Sequence, residues 1–304
     1  MDMKINIAGV ELDNPIIAAS GTYGFGHEYN EFYDISEIGA ISVKGLTKSP
    51  RAGNPPPRIT ETIGGILNSV GLQNPGVDAF IKEEIPFLRK HRCKIIANMA
   101  GNTFEDYCEM AEKLSAADVD MLEMNISCPN VKAGGAAFGT NPDTVLAITK
   151  AVRTYAKKPL IVKLSPNVAD ITETAKAAEA GGADALSLIN TLTGMAIDIN
   201  TRRPILANVV GGLSGPCVKP VALRMVYQVH QAVKLPIIGM GGISNGDDAV
   251  EFLLAGSTAI SVGTANFTDP YACLKIRDGI KTYMEKHQIK TVRELTGGLI
   301  VESK

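Results

Sequence analysis

Apolar and polar positions along the chain alternate between two periods. Short runs rich in Ile, Val, Leu and Ala are each followed by a longer stretch. The runs are PIIAAS (15–20), GAISVKG (39–45), KIIANMAG (94–101), DMLEMNIS (120–127), PLIVKLS (159–165), ADALSLIN (183–190), PIIGMGG (236–242) and TAISVGT (258–264). Between most of them lie amphipathic segments, such as 77–91, 104–118 and 220–233, with helical spacing. Near-continuous apolar strands alternating with helices predict a parallel sheet covered on both faces. Eight such units favour an α/β fold closed as a (β/α)8 TIM barrel over an open doubly wound sheet. The dinucleotide fingerprint of the open sheet is also missing, because Ser244 stands where G-x-G-x-x-G needs its third glycine.

Two segments depart from the repeat. MKINIAGVELDNP, ahead of the first run, reads as an N-terminal β-hairpin, a plug for the barrel floor. Leu46 to Gly76 is too long for a plain strand-to-helix connection and is rich in Pro and Gly. Long loops at the C-terminal face of a barrel cover sites. No linker divides the chain, so residues 1–304 read as one domain.

Composition adds exclusions. The chain is 45% apolar and 20% charged, with a formal net charge of −2, which gives no electrostatic case for nucleic acid or an anionic membrane. No run reaches the ~18 apolar residues of a spanning helix, and the N-terminus does not read as a signal peptide. Five cysteines, at 93, 108, 128, 217 and 273, show no C-x-x-C and no paired spacing. That pattern argues against a disulfide framework and against a metal or iron–sulfur site in this chain. It fits a reducing cytoplasm.

Barrels carry their chemistry at the C-terminal ends of the strands. Read in order, the first six runs end in or near Ser20, Lys44, Asn98, Asn125, Lys163 and Asn190. Two ammonium groups in such a ring call for an anionic or electron-rich ligand. The last two strands end in Gly241-Gly242 and Gly263-Thr264, where bare backbone and a following helix make a phosphate site. Together these features suit a phosphorylated planar cofactor such as FMN. Lys163 would stand against the isoalloxazine N1/O2 edge and favour the anionic reduced form. Cys93, Cys108 and Cys273 read as buried small hydrophobes and Cys217 as structural. Cys128 differs, lying just past a strand end, before Pro129 and a loop with glycines at 134, 135 and 139 that could serve as a lid. A thiol there can act as a base.

These residues resemble a family. ASGTYGFG, SVKGLT, NPPPRI, NSVGLQNPG, NISCPNVK, IVKLSPN, INTLTGMAID, GGLSGP, GMGGI and SVGTANF match class 1 dihydroorotate dehydrogenases nearly end to end. The resemblance implies FMN, oxidation of dihydroorotate to orotate in pyrimidine biosynthesis, and Cys128 as the base that removes the C5 proton. Class 2 enzymes carry serine there and an N-terminal membrane segment, and this sequence has neither. The resemblance also implies substrate contacts at Lys44, Asn68, Asn125, Asn190 and Thr191, with the backbone of Ser69, Val70, Gly71 and Leu72 beside the carboxylate. Flavin contacts are implied at Ser20, Lys44, Gly45, Asn98 and Asn125. They continue at Lys163, Ile189 and Gly215, and at Gly241, Gly242, Gly263 and Thr264.

INTLTGMAID and NSVGLQNPG look more like class 1B, which reduces NAD through a partner subunit carrying FAD and a [2Fe–2S] cluster, than the fumarate-using class 1A. The class 1B assembly so implied is a homodimer core flanked by two electron-transfer subunits, a heterotetramer. A related FMN barrel that reduces pyrimidine bases is a further alternative, but Lys44 and NSVGL argue for a carboxylate on the substrate. A non-enzymatic barrel that binds a phosphate ligand is the remaining one.

Overall fold

The computed structural model describes residues 1–127 and 136–301. All eight apolar runs form strands, named β1 to β8: β1 Ile16–Ala18, β2 Ala40–Ser42, β3 Lys94–Met99, β4 Met121–Asn125, β5 Leu160–Lys163, β6 Ala185–Leu188, β7 Ile237–Met240 and β8 Ala259–Val262. Each pairs in parallel with the next, and β8 returns to β1, closing the barrel. Helices Phe104–Ala116, Pro142–Tyr155, Ile171–Ala180, Lys219–Ala232, Gly246–Leu254 and Ala272–Lys286 follow β3 to β8 and form the outer layer. Several begin at side-chain caps, as the amphipathic pattern requires. Thr103 accepts from Asp106 N–H while Asp106 accepts from the Thr103 N–H, and Asn141, Asp170 and Asn245 cap their helices likewise.

The N-terminal hairpin is present as Ile5–Ile7 paired with Val10–Leu12. Ile5, Ile7 and Leu12 are buried in the same apolar cluster as the barrel strands. Leu12 leads through Asn14 into β1, which places the hairpin at the end where the strands begin.

The excursion from Leu46 to Gly76 is not a simple loop. It carries a hairpin, Ile59–Thr62 with Gly65–Asn68, that joins two strands from beyond β6, Val210–Ser214 and Leu192–Met195. The result is a four-stranded antiparallel sheet, with Asn68 opposite Gly212 and Gly194 opposite Gly211. Ile59, Ile66 and Leu213 from this sheet wall the same cavity as the barrel strand ends. The sheet is therefore a cap over the C-terminal face.

Candidate active site

Inward side chains alternate along each strand, so every second residue points to the barrel axis. The upper inward layer lines a cavity of about 1290 Å³, including its part open to solvent. Ser20, Lys44, Gly45, Asn125, Lys163, Ile189 and Asn190 supply the floor. Gly241, Gly242, Gly263 and Thr264 supply one side, and Thr191 and Gly215 lie next to the cap sheet. Asn68, Val70, Gly71 and Leu72 line it from the long excursion. Five of the six expected strand-end residues, all but Asn98, are thus gathered in one place.

Two expected residues do not line the cavity. Ser69 is fully buried and turned from the cavity, its N–H donating to the Arg58 carbonyl and its Oγ without a partner among the described residues. Asn98 is fully buried beneath the cavity wall. Cys128 lies outside the described residues, as does most of the expected lid from Pro129 to Gly139. Ser127, immediately before it, is buried and receives Asn190 Nδ2 on its hydroxyl at 2.8 Å.

Local chemistry explains the shape of the 68–74 loop. Asn54 Nδ2 donates to the Ser69 carbonyl at 2.8 Å, and Asn74 Oδ1 accepts from the Gly76 and Thr47 N–H groups. Gly71 takes φ of 76°, and a Cβ there would lie 2.6 Å from Asn54 Cγ, so both conformation and space demand glycine. On the other side, Gly242 (φ 79°) packs against protein, where a Cβ would meet the Gly215 carbonyl and the Lys219 N at 2.8 Å. Asp248 braces this loop, accepting from Ser244 N–H at 2.9 Å and from Lys219 Nζ at 2.7 Å. The Asp248 hydrogen bond, and behind it the one from Glu251, raise the Lys219 ammonium above the ordinary lysine value. Thr264 donates to Ser214 Oγ at 2.8 Å, tying the last loop to the cap sheet.

Two features of the floor decide its chemistry. Lys163 is 5% exposed, lines the cavity and has no carboxylate or other acceptor within bonding distance among the described residues. Below the floor sits Glu123, 2% exposed, which the sequence reading passed over. It accepts from Ser42 Oγ at 2.7 Å, Ser187 Oγ at 2.6 Å and Asn98 Nδ2 at 2.5 Å. A signal was available: a carboxylate inside an apolar strand, two residues from Asn125 and so on the same face. Of the cysteines expected to be buried, Cys93 and Cys273 are, while Cys108 is half-buried; Cys217 is exposed.

Fold and site together define a parallel barrel with a capped, donor-lined cavity, glycine-walled on one side and holding a buried ammonium on its floor. The family model described as dihydroorotate dehydrogenase matches residues 2–284, and the chain belongs to that family. A relative from Alkaliphilus metalliredigens, called dihydroorotate dehydrogenase B (NAD(+)), catalytic subunit, is 64% identical over 98% of this chain and 99% of its own. A protein of the same name from Thermoanaerobacter pseudethanolicus is 54% identical over 99% of this chain and 100% of its own. The crystal structure of DHODH from Eimeria tenella in complex with ferulenol shares the fold. Its TM-score is 0.83 at 22% identity, covering 97% of this chain and 88% of that one.

Proposed function

We propose that this chain is the FMN-carrying catalytic subunit of a class 1B dihydroorotate dehydrogenase, oxidising (S)-dihydroorotate to orotate in pyrimidine biosynthesis. The observation that carries the reading is Lys163, a buried cation facing a large cavity without an anionic partner among the described residues. A buried ammonium is costly alone, so its place makes sense when a ligand brings electron density to it. FMN fits this demand, and the glycine-walled side at Gly241-Gly242 and Gly263-Thr264 fits its phosphate.

Bound FMN supplies the acceptor for the hydride that leaves substrate C6. Lys163 supplies fixed positive charge on the floor. The backbone of Val70, Gly71 and Leu72, with Lys44, holds the substrate carboxylate, while Asn68, Asn125, Asn190 and Thr191 hold its ring. Cys128 Sγ takes the C5 proton, a role that rests on the NISCPN resemblance. The cap sheet excludes water from above.

Among the described residues no helix is long and apolar enough to cross a membrane. We assign the enzyme to the cytoplasm. Electrons leave to a partner subunit with FAD and a [2Fe–2S] cluster, with NAD as final acceptor, and the working assembly is a homodimer of this chain flanked by two partners. Relatives named as type B catalytic subunits support this over the fumarate-using class. The test is an assay of the isolated chain with dihydroorotate and an artificial dye, NAD or fumarate. Dye activity alone, with NAD activity restored by a flavin–iron–sulfur subunit, is expected. Robust fumarate reduction by the isolated chain would reassign it.

A further inference from the structure

The asparagines at this site are not independent of one another, and their order begins at Glu123. A carboxylate only accepts hydrogen bonds, whereas an amide has a donor end and an acceptor end. Glu123 therefore turns the nitrogen of Asn98 toward itself, at 2.5 Å. Asn98 Oδ1 is left for Asn125, whose Nδ2 donates to it at 3.5 Å, the longest link. Asn125 Oδ1 then faces Ser127 and accepts from its N–H at 3.3 Å and its hydroxyl at 3.1 Å. Having given its proton, the Ser127 oxygen receives Asn190 Nδ2 at 2.8 Å. Asn190 Oδ1 ends the series by accepting from Thr191 N–H at 2.8 Å.

We infer that Glu123 is a positioning residue: a buried carboxylate that fixes the amide polarity of Asn98 and so presents Asn98 Oδ1 to Asn125, while the Ser127 and Thr191 backbone N–H groups hold the oxygen ends of Asn125 and Asn190 in the same sense. Each amide nitrogen carries two hydrogens. Asn125 and Asn190 each spend one on the relay and line the cavity, which leaves a second N–H for a ligand. The site is thereby committed to reading acceptor atoms. Resting on the proposed function, those acceptors are the carbonyl oxygens and carboxylate of dihydroorotate and orotate. The other partners of Glu123 carry no such instruction, because the Ser42 and Ser187 hydroxyls rotate to donate or accept as required. Glu123→Gln nearly preserves shape but offers Asn98 either a donor or an acceptor, so the relay loses its fixed end.

Neutron diffraction from crystals of the native, flavin-loaded protein reads the amide hydrogens directly. All three nitrogens should lie where the relay puts them; any one reversed overturns the inference. Calorimetric titration with orotate supplies the second arm. Glu123→Gln should bind about 10- to 100-fold more weakly than the native protein, as expected when cavity donors are reversed or left unpaired. The single variant Ser42→Ala, which strips one hydrogen bond from the same carboxylate but leaves the Ser187 and Asn98 donors on it, should stay within about threefold of native. Native affinity in Glu123→Gln, or equal loss in the serine variant, would refute polarity control. Should Glu123→Gln not fold, the neutron map and the serine variant decide. A native protein with the relay in place that does not bind orotate would overturn the functional reading and leave the relay standing.

Discussion

In the proposed function the chemistry turns on Lys163 and Cys128, and they make different demands. Lys163 is buried at the end of β5, with Asn125 of β4 beside it in register. Lys163→Met removes an ammonium that lacks an acceptor among the described residues, so the flavin-free protein should gain thermal stability. The same change removes positive charge from the flavin's surroundings, so the reduction potential of bound FMN should fall. Dye-equilibrated titration checks this, and an unchanged potential would place the lysine away from the flavin. Cys128→Ala should retain orotate binding while flavin reduction by dihydroorotate slows about 10²–10⁴-fold, the scale for loss of a positioned base. Stopped-flow reduction at a native rate would remove the thiol from the mechanism.

The glycine-walled loops after β7 and β8 look alike in sequence but do different jobs. A side chain at Gly242 would strike the Gly215 carbonyl and the Lys219 backbone, so its substitution would report protein packing rather than ligand approach. Gly263 has no positive φ, and a Cβ there would meet only Ala19 Cβ at 3.6 Å and Thr22 atoms near it, which are ordinary contacts. Gly263→Ala should therefore fold normally while placing a methyl group on the cavity wall where the phosphate is proposed. FMN affinity, followed by fluorescence quenching, should drop about tenfold or more, the cost of losing a charge-assisted hydrogen bond. Unaltered affinity would move the phosphate elsewhere.

At the scale of the whole molecule, burial of acidic protons sets the alkaline limit. Burial pushes the Cys93 and Cys273 thiols from 9.0 up to about 12, and the Tyr29 phenol from 10.0 up to about 12. Tyr23 and Tyr33, bonded hydroxyl to hydroxyl at 2.6 Å, are raised further, first by the same desolvation. The folded state holds these protons more tightly than the unfolded chain does. Their contribution is complete below pH about 9, and it is lost as pH rises from there through the folded values. The thermal midpoint should thus be level through neutrality and decline from pH about 9 upward. A midpoint unchanged at pH 11 would contradict this ordering of the buried groups.

The sequence by itself determined the barrel, because each strand is an apolar run that only a doubly covered parallel sheet can bury, and eight such runs close a ring. It determined most of the cavity as well, since a strand-end position fixes where a side chain stands in that ring. Tertiary structure decided the rest. The cap sheet joins Asn68 to Gly212, which lie 144 residues apart, through short, half-exposed strands with no alternation to betray them. The floor of the site was decided in the same way. Asn98 and Asn125 both end apolar runs, yet one is buried below the floor and the other lines it. Glu123 reads as one charge in a strand until β2, β3 and β6 bring Ser42, Asn98 and Ser187 to it. Hydrogen bonds across a barrel depend on how the strands are staggered around the ring, and that stagger exists only once the ring has closed.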